Sequence, residues 1–345
     1  MRKLASVERI LNIESHPNAD KLEIATVLGW KCVVKKGEFK PKDLCIYFRI
    51  DSLIPMSHEW ARFLQNKDKP QAPARLKTIK LRGQQSQGLC MPLETFKDTG
   101  LDPSVQLEGD DLTEFLGITK YEPEIPACLN GDVKGARPSY TIKTDEDRIQ
   151  AFPALIDEFQ GKLVYVSQKI DGTSGTYSYL NEEYNASGRN WSYKEDINNT
   201  YWKISEKYKI REKLKDIYDK SGVGYAIQGE IAGPKIQDNL LELKDHELFV
   251  FNVMHLGEGS FLGFYEFKEF CERLQLQTVP ILQICEFKWK TIDELLALAD
   301  STRYPSGHVN EGIVIRPVHE FHSKVLSGRA SFKVVSNEFL KKTNQ

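Results

Sequence analysis

The first fifty residues hold three runs dense in β-branched and aromatic side chains, 4–15, 21–34 and 43–50, each closed off by turn-forming residues. HPNAD (16–20) separates the first two, and KKGEFKPK (35–42) separates the second two. Pro, Asn, Asp and Gly at those places supply the preset or left-handed backbone that a chain reversal needs. A further strand-like pair flanks RGQQSQG at 82–88. About five short strands in about 100 residues fit a small barrel, and an oligonucleotide-binding (OB) barrel has that strand number. Arg75, Lys77, Lys80 and Arg82 form a basic run here, which suits a nucleic-acid groove and a solvated β face about equally.

The strand-and-turn pattern stops near residue 120. Residues 122–140, EPEIPACLNGDVKGARPSY, carry Pro123, Pro126 and Pro138 with Gly131 and Gly135, and read as a linker with little regular structure. With 345 residues the chain is long enough for two cores, because single cores stop growing near about 250–300 residues. The expected layout is an OB domain over 1–120, a linker over 121–140 and a second domain over 141–345. Strands are expected there at 162–169, 224–232, 247–254, 312–316 and 331–335. Residues 194–218 space Trp202, Ile204, Tyr208, Leu214 and Ile217 at near-helical intervals. TIDELLALAD (291–300) opens with Thr291 and Glu294 in capping-box spacing. The predicted class is α+β: an N-terminal OB-type barrel followed by a larger α+β domain with antiparallel sheets.

A formal net charge of −2 means that a nucleic acid would be held by local basic patches and not by a cationic body. Apolar residues at 40% and charged residues at 28% describe a soluble globular chain. No stretch approaches the roughly 18 apolar residues of a membrane helix, and MRKLASVERI lacks the apolar core of a secretory signal, so an intracellular site with no membrane partner is expected. The six cysteines, Cys32, Cys45, Cys90, Cys128, Cys271 and Cys285, include no Cys-x-x-Cys pair. Reduced, packed thiols are expected instead of a zinc knuckle or a disulfide framework.

SQKIDGTSG (167–175) sets Lys169, Asp171 and Gly172 between an apolar strand-like run and a turn rich in small residues. A Lys-x-Asp-Gly tetrapeptide arises by chance in roughly one chain in ten of this length, and by itself it is most simply an exposed strand end. As chemistry it suggests a lysine made nucleophilic, which requires the ammonium to lose its proton through desolvation or neighbouring cations. In extended backbone Lys169 and Asp171 share a face, so the carboxylate could bind a metal or orient the amine.

Four more segments place polar residues where a purely structural strand prefers apolar ones: NASGRNW (185–191), YAIQGEIAG (225–233), NEGIVIR (310–316) and ASFKVVS (330–336). Glu230 and Glu311 stand beside glycines at the ends of apolar runs. About half of such acids are simply solvated. Arg189 follows a Ser-Gly turn, and Lys333 leaves its strand between Phe332 and Val334, where snorkelling to water is the plain alternative. Phe251 in LFVFNV is either a core residue or a platform for a base.

Taken in order, these elements resemble the covalent nucleotidyltransferase superfamily of polynucleotide ligases and messenger-RNA capping enzymes, in which a lysine attacks the α-phosphate of a nucleotide. The resemblance implies that Lys169 is the nucleophile, that Asp171, Glu230 and Glu311 are acidic groups near metal and ribose, and that Lys333 completes the catalytic set. It places Phe251 on the base, Arg189 and Lys333 on phosphates, and Gln168, Ile170 and Gly172 beside the nucleotide. Arg148, in the TDEDR segment, is a phosphate contact by position. DNA ligases and capping enzymes carry an OB domain after the last lysine motif, whereas little chain follows Lys333. One RNA-ligase family, typified by a Naegleria gruberi enzyme and a Deinococcus relative, puts its OB domain first. The chain is similar to that family over nearly its whole length, with HPNADKLE and LRGQQSQG resembling the N-terminal module.

That resemblance implies an ATP-dependent RNA ligase with lysyl-AMP as covalent adduct, magnesium or manganese as metal, and nicked duplex RNA as partner, acting as a monomer. One departure stands out. Many relatives end on Lys-x-Lys, but here Val335 stands where the second lysine would be, two residues after Lys333, which leaves Lys324 or Arg316 as candidate substitutes. The alternatives are a capping-type guanylyltransferase and a non-catalytic OB-fold RNA-binding protein. His319 and His322 could bind a metal, though histidines in such a loop are usually just exposed.

Overall fold

Ala5–Ser15 is long enough to serve two partners, and the N-terminal unit is built on it. In the computed structural model, which describes residues 3–66, 69–121 and 132–343, its first half pairs with Leu44–Phe48 and its second half with Leu22–Val27. Between the two halves the register slips at Leu11, whose side chain is left 54% exposed. A bulge of this kind bends a strand and sharpens its twist, which is how a flat sheet starts to close. The resulting sheet runs Trp30–Lys35, Leu22–Val27, Ala5–Ser15, Leu44–Phe48 and Leu89–Pro92, the half-barrel of an OB fold. Trp30, Cys32, Cys45, Tyr47 and Cys90 fill its core. All described cysteines are free; Cys128 lies outside the described residues.

Two differences from the sequence reading have the same origin. The run 21–34 is two strands, because Leu28 takes a left-handed backbone beside Gly29 and makes a two-residue hairpin turn. Arg82 and Gly83 do likewise, so the all-polar Gln84–Gln87 is itself a strand paired with Thr78–Leu81. The HPNAD turn is braced on that hairpin. The His16 ring bonds to the Leu81 carbonyl at 3.1 Å, and the Asn18 amide donates to the Arg82 carbonyl at 3.1 Å.

Contacts divide the chain into a unit of Met1–Glu124 with Gln150–Pro153 and a unit of Ile125–Ile149 with Ala154–Thr343. The second unit carries two large sheets. One has seven strands, ordered Val133–Ala136, Trp191–Tyr193, Glu183–Ser187, Thr173–Leu180, Tyr225–Ala232, Glu247–His255 and Ser260–Phe261. The other has five: Asp147–Arg148, Phe332–Val335, Gly312–Pro317, Leu163–Lys169 and Ile281–Glu286. Val133–Ala136 falls inside the stretch expected to be linker. Gly135 and Pro138 are tolerated there because this strand is an edge; residues 122–131 lie outside the described residues.

The seven-stranded sheet has two unlike faces. Tyr177, Tyr179, Ile227, Ile231, Leu248 and Val250 pack under helices that contribute Trp202, Ile204, Ile210, Leu214, Phe267 and Phe270. Alternation sends Thr176, Ser178, Gln228 and Glu230 to the opposite face. Buried amides there are satisfied in series: Gln228 donates to the Ile142 carbonyl at 2.7 Å, Asn252 donates to Gln228 at 3.2 Å, and Arg329 donates to Asn252 at 2.7 Å. The single helix expected over 194–218 is two, Thr200–Lys207 and Ile210–Ser221, broken where Lys209 adopts a left-handed conformation. The break lets both pieces lay apolar residues on one sheet. Thr291 caps Ile292–Ser301 by accepting from the Glu294 N–H at 3.2 Å.

Candidate active site

Leu163–Lys169 ends in the five-stranded sheet, and Thr173–Leu180 begins in the seven-stranded one, so Ile170, Asp171 and Gly172 are where the chain crosses between sheets. Gly172 is required at the crossing: a Cβ there would stand 2.4 Å from the Ile231 carbonyl oxygen and 3.0 Å from Glu230 Cγ. Lys169 pairs in register with Gly312, where an added Cβ would lie 2.2 Å from the Val334 oxygen. That close approach of strands brings Glu311, the residue before Gly312, to the lysine. Lys169 Nζ donates to Glu311 Oε2 at 2.6 Å.

Glu230 reaches the same place from the other sheet. Ser167, Gln168, Lys169, Ile170, Glu230, Phe251, Val279 and Val314 line one cleft with Thr144, Glu146 and Arg316. Phe251 lines it too: alternation from Phe249, the partner of Glu230, puts Phe251 on the same face, and a bulge leaves it out of the ladder, since Gln228 pairs with Asn252 and Gly229 with Val250. On the five-stranded sheet Val314 pairs with Lys333, and Lys333 pairs in parallel with Arg148. Two cations thus stand on neighbouring strands, Lys333 one strand away from Gly312 and Arg148 two.

Lys169 is surrounded by acids. Burial pushes its pKa down, but Glu311, Glu230 and Asp171 together outweigh burial and hold it above the ordinary lysine value. Desolvation and cations do not by themselves free the amine, contrary to the simplest expectation from the sequence. Burial raises the Glu230 carboxyl to about 8, with Glu311 and Asp171 adding to the effect against Lys169. Asp171, 6% exposed, is raised to about 6 by burial and by Glu311. Lys333 is lowered to about 8 by burial, then by Lys169 and Arg148. Carboxyls that resist ionising and a lysine that resists protonation mark a site built for additional charged groups.

An RNA ligase family model matches residues 162–335, and an OB-fold domain model matches residues 4–93. The chain belongs to the RNA ligase family. It is 34% identical to a Naegleria gruberi RNA ligase solved with PPi, covering 100% of this chain and 99% of that one at a TM-score of 0.84. A glutamate-to-alanine variant of that enzyme with ATP and Mn gives 33% identity, a TM-score of 0.85 and coverage of 100% of both chains. A lysine-to-methionine variant with AMP and Mn gives 34%, 0.85 and 99% of each chain. No curated protein matches the chain. At this identity the ligase is a relative of the Naegleria enzyme and not that enzyme.

Several expectations are redistributed by the ligase structure. Arg316 is 2% exposed and three of its five N–H donors are engaged within the protein, with Nη2 on Glu146 at 2.6 Å, Nε on Ser331 at 2.9 Å and Nη1 on the Phe251 carbonyl at 3.0 Å. Lys324 is exposed beside a small hairpin, its backbone N–H bonded to Glu158 at 2.7 Å. Arg148, through its register with Lys333, is the cation beside it. Arg189 is half-exposed and paired with Asp145 at 2.9 Å. Among the described residues no three His, Cys, Asp or Glu side chains are arranged to hold a metal ion. The carboxyls of Asp171, Glu230 and Glu311 all act on Lys169, with Glu311 accepting from Nζ at 2.6 Å and burial raising the Glu230 carboxyl. His319 and His322 are both exposed. No described helix is long and apolar enough to cross a membrane. The residue that the sequence reading missed is Tyr304, buried beside Ile170 and Val279; a tyrosine before Pro-Ser-Gly gives only a turn signal.

Proposed function

We propose that this ligase seals nicks in duplex RNA with ATP, through a lysyl-AMP intermediate carried on Lys169. The observation that carries the reading is the meeting of Lys169, Glu311 and Glu230 beside an apolar cleft that Phe251 lines, with Lys333 and Arg148 on the adjoining strands. The neutral amine of Lys169 attacks the α-phosphorus of ATP; a P–N bond forms as the bond to pyrophosphate breaks. An RNA 5′-phosphate oxygen then attacks the same phosphorus and releases the amine. In the third step a 3′-hydroxyl attacks the RNA 5′-phosphorus, loses its proton, and AMP departs.

Lys333, Arg148 and Arg189 are the groups for the phosphate oxygens, because charge builds on equatorial and leaving oxygens in such transfers. Phe251, Ile170, Val279 and Val314 offer apolar walls for the base, with Gln168 beside them. Divalent magnesium or manganese held by Asp171, Glu230 and Glu311 together with phosphate and water oxygens would neutralise charge and draw carboxylates off the lysine. Hard oxygen donors suit either ion, and the Naegleria structures with ATP and Mn support both nucleotide and metal. The OB module at 1–120 would grip duplex RNA, leaning on backbone shape and 2′-hydroxyls more than on base sequence.

Incubation with ATP labelled at the α-phosphate and with Mn should give a labelled protein that the Lys169→Ala variant does not form. A labelled Lys169→Ala protein would falsify the assignment, and preferential labelling by GTP would move the ligase toward capping chemistry. Replacing ribonucleotides strand by strand in a nicked duplex then identifies which side of the break must be RNA.

A further inference from the structure

The Tyr304 hydroxyl sits where the nucleophile strand and the Glu311 segment meet. It accepts from the backbone N–H of Asp171 at 2.9 Å and of Glu311 at 3.3 Å, and it donates to the Lys169 carbonyl at 2.9 Å. A phenol has one hydrogen and two acceptor sites, so all three capacities are spent on the backbone of three residues that flank or carry the reacting groups. The ring is 2% exposed and packs with Ile170, Phe249 and Val279.

The loop that presents Tyr304 is itself fixed at several points. Tyr304 N–H donates to the His308 carbonyl at 2.9 Å, Gly307 N–H to the Tyr304 carbonyl at 2.8 Å, and Arg303 bridges Val309. Ser306 Oγ bonds the Leu240 carbonyl at 2.5 Å. Gln168, one residue before the nucleophile, donates to the Arg303 carbonyl at 2.8 Å, so the loop holds the nucleophile strand from both sides of Lys169.

We propose that Tyr304 is a positioning residue: its hydroxyl sets Lys169 against Glu311 so that the amine is aimed at the α-phosphorus. The inference rests on the lysyl-AMP reading above. Aim matters because displacing a reacting group by about 1 Å can cost about a hundredfold in rate. Asp171, Lys169 and Glu311 have no other shared partner of this kind among the described residues.

Tyr304→Phe removes the oxygen and keeps the ring. Single-turnover adenylylation at saturating ATP should slow at least tenfold, with half-saturation for ATP changed less than threefold. Sealing of an RNA nick that already carries a 5′-adenylate does not use the lysine adduct, so it should fall at least tenfold less than adenylylation does. Equal losses in both reactions would reduce Tyr304 to a general structural residue and overturn the proposal, as would adenylylation within twofold of the parent. Tyr304→Leu, which also loses packing, should lower both reactions together and calibrate the structural outcome. If the parent protein forms no adduct, the lysyl-AMP reading fails; if the parent forms it and Tyr304→Phe forms it as fast, only the positioning role fails.

Discussion

Arg316→Met is expected to cost the ligase about 3–5 kcal/mol of folding stability, the range found when one partner of a buried ion pair is removed. The loss arises on the partner side. Burial opposes ionisation of Glu146, but Arg316 and Arg329 outweigh it and hold its carboxyl below the usual carboxylate range. Without the guanidinium that charge stays buried beside an apolar side chain, and Ser331 and the Phe251 carbonyl lose their donor as well. Because an ion pair replaced whole by apolar groups is often neutral, the double variant Glu146→Leu/Arg316→Met should recover most of the loss. Denaturant unfolding of the parent, single and double variants checks both statements. A single-variant loss below about 1 kcal/mol would mean that the pair is solvated, and Arg316 would again be available as a phosphate ligand.

The rate of adenylylation should climb with pH, by close to tenfold per unit at the acid end, because attack needs a neutral amine. Burial lowers the Lys169 pKa, but the acids around it, Glu311 foremost, outweigh burial and hold it above its ordinary value, so the ammonium form dominates at pH 7 in the free protein. The sign for Glu311→Gln follows directly: deleting the negative charge 2.6 Å from Nζ lowers the lysine pKa and moves the profile toward acid. The absolute rate should fall at the same time, since Glu311 also orients the amine. Single-turnover rates from pH 6 to 9.5 with both proteins read the inflection independently of the height. A parent profile that stays flat between pH 6 and 8 would remove amine deprotonation as the limiting event.

What the sequence made readable was whatever depends on neighbours in the chain. Lys169, Glu230 and Glu311 stand at the ends of apolar runs next to small residues, and strand alternation with glycine punctuation is a local code, so the structure finds them together. Phe251 could be named but not aimed, because which face of its strand meets the cleft depends on the pairing of Phe249 with Glu230 on the Tyr225–Ala232 strand, visible only once the ladder is paired. Arg316 reads as a polar strand end in isolation; its burial is made possible by Glu146, 170 residues away. Arg148 gains its place beside Lys333 from a two-residue parallel pairing that no local pattern announces. The break at Lys209 falls in a stretch without Gly or Pro, and packing onto the sheet decides it.

The crossing at Ile170–Gly172 also works as a ruler. Its length is pinned at one end by Lys169 against Gly312 and at the other by Thr173 against Ile231. Inserting a single residue would turn the next strand over, sending Thr176 and Ser178 under the helices and Tyr177 and Tyr179 into the polar face. The spacing from the lysine to the glycine is therefore set by the distance between two sheets, and a crossing one residue shorter or longer would lose one of the two registers that pin it.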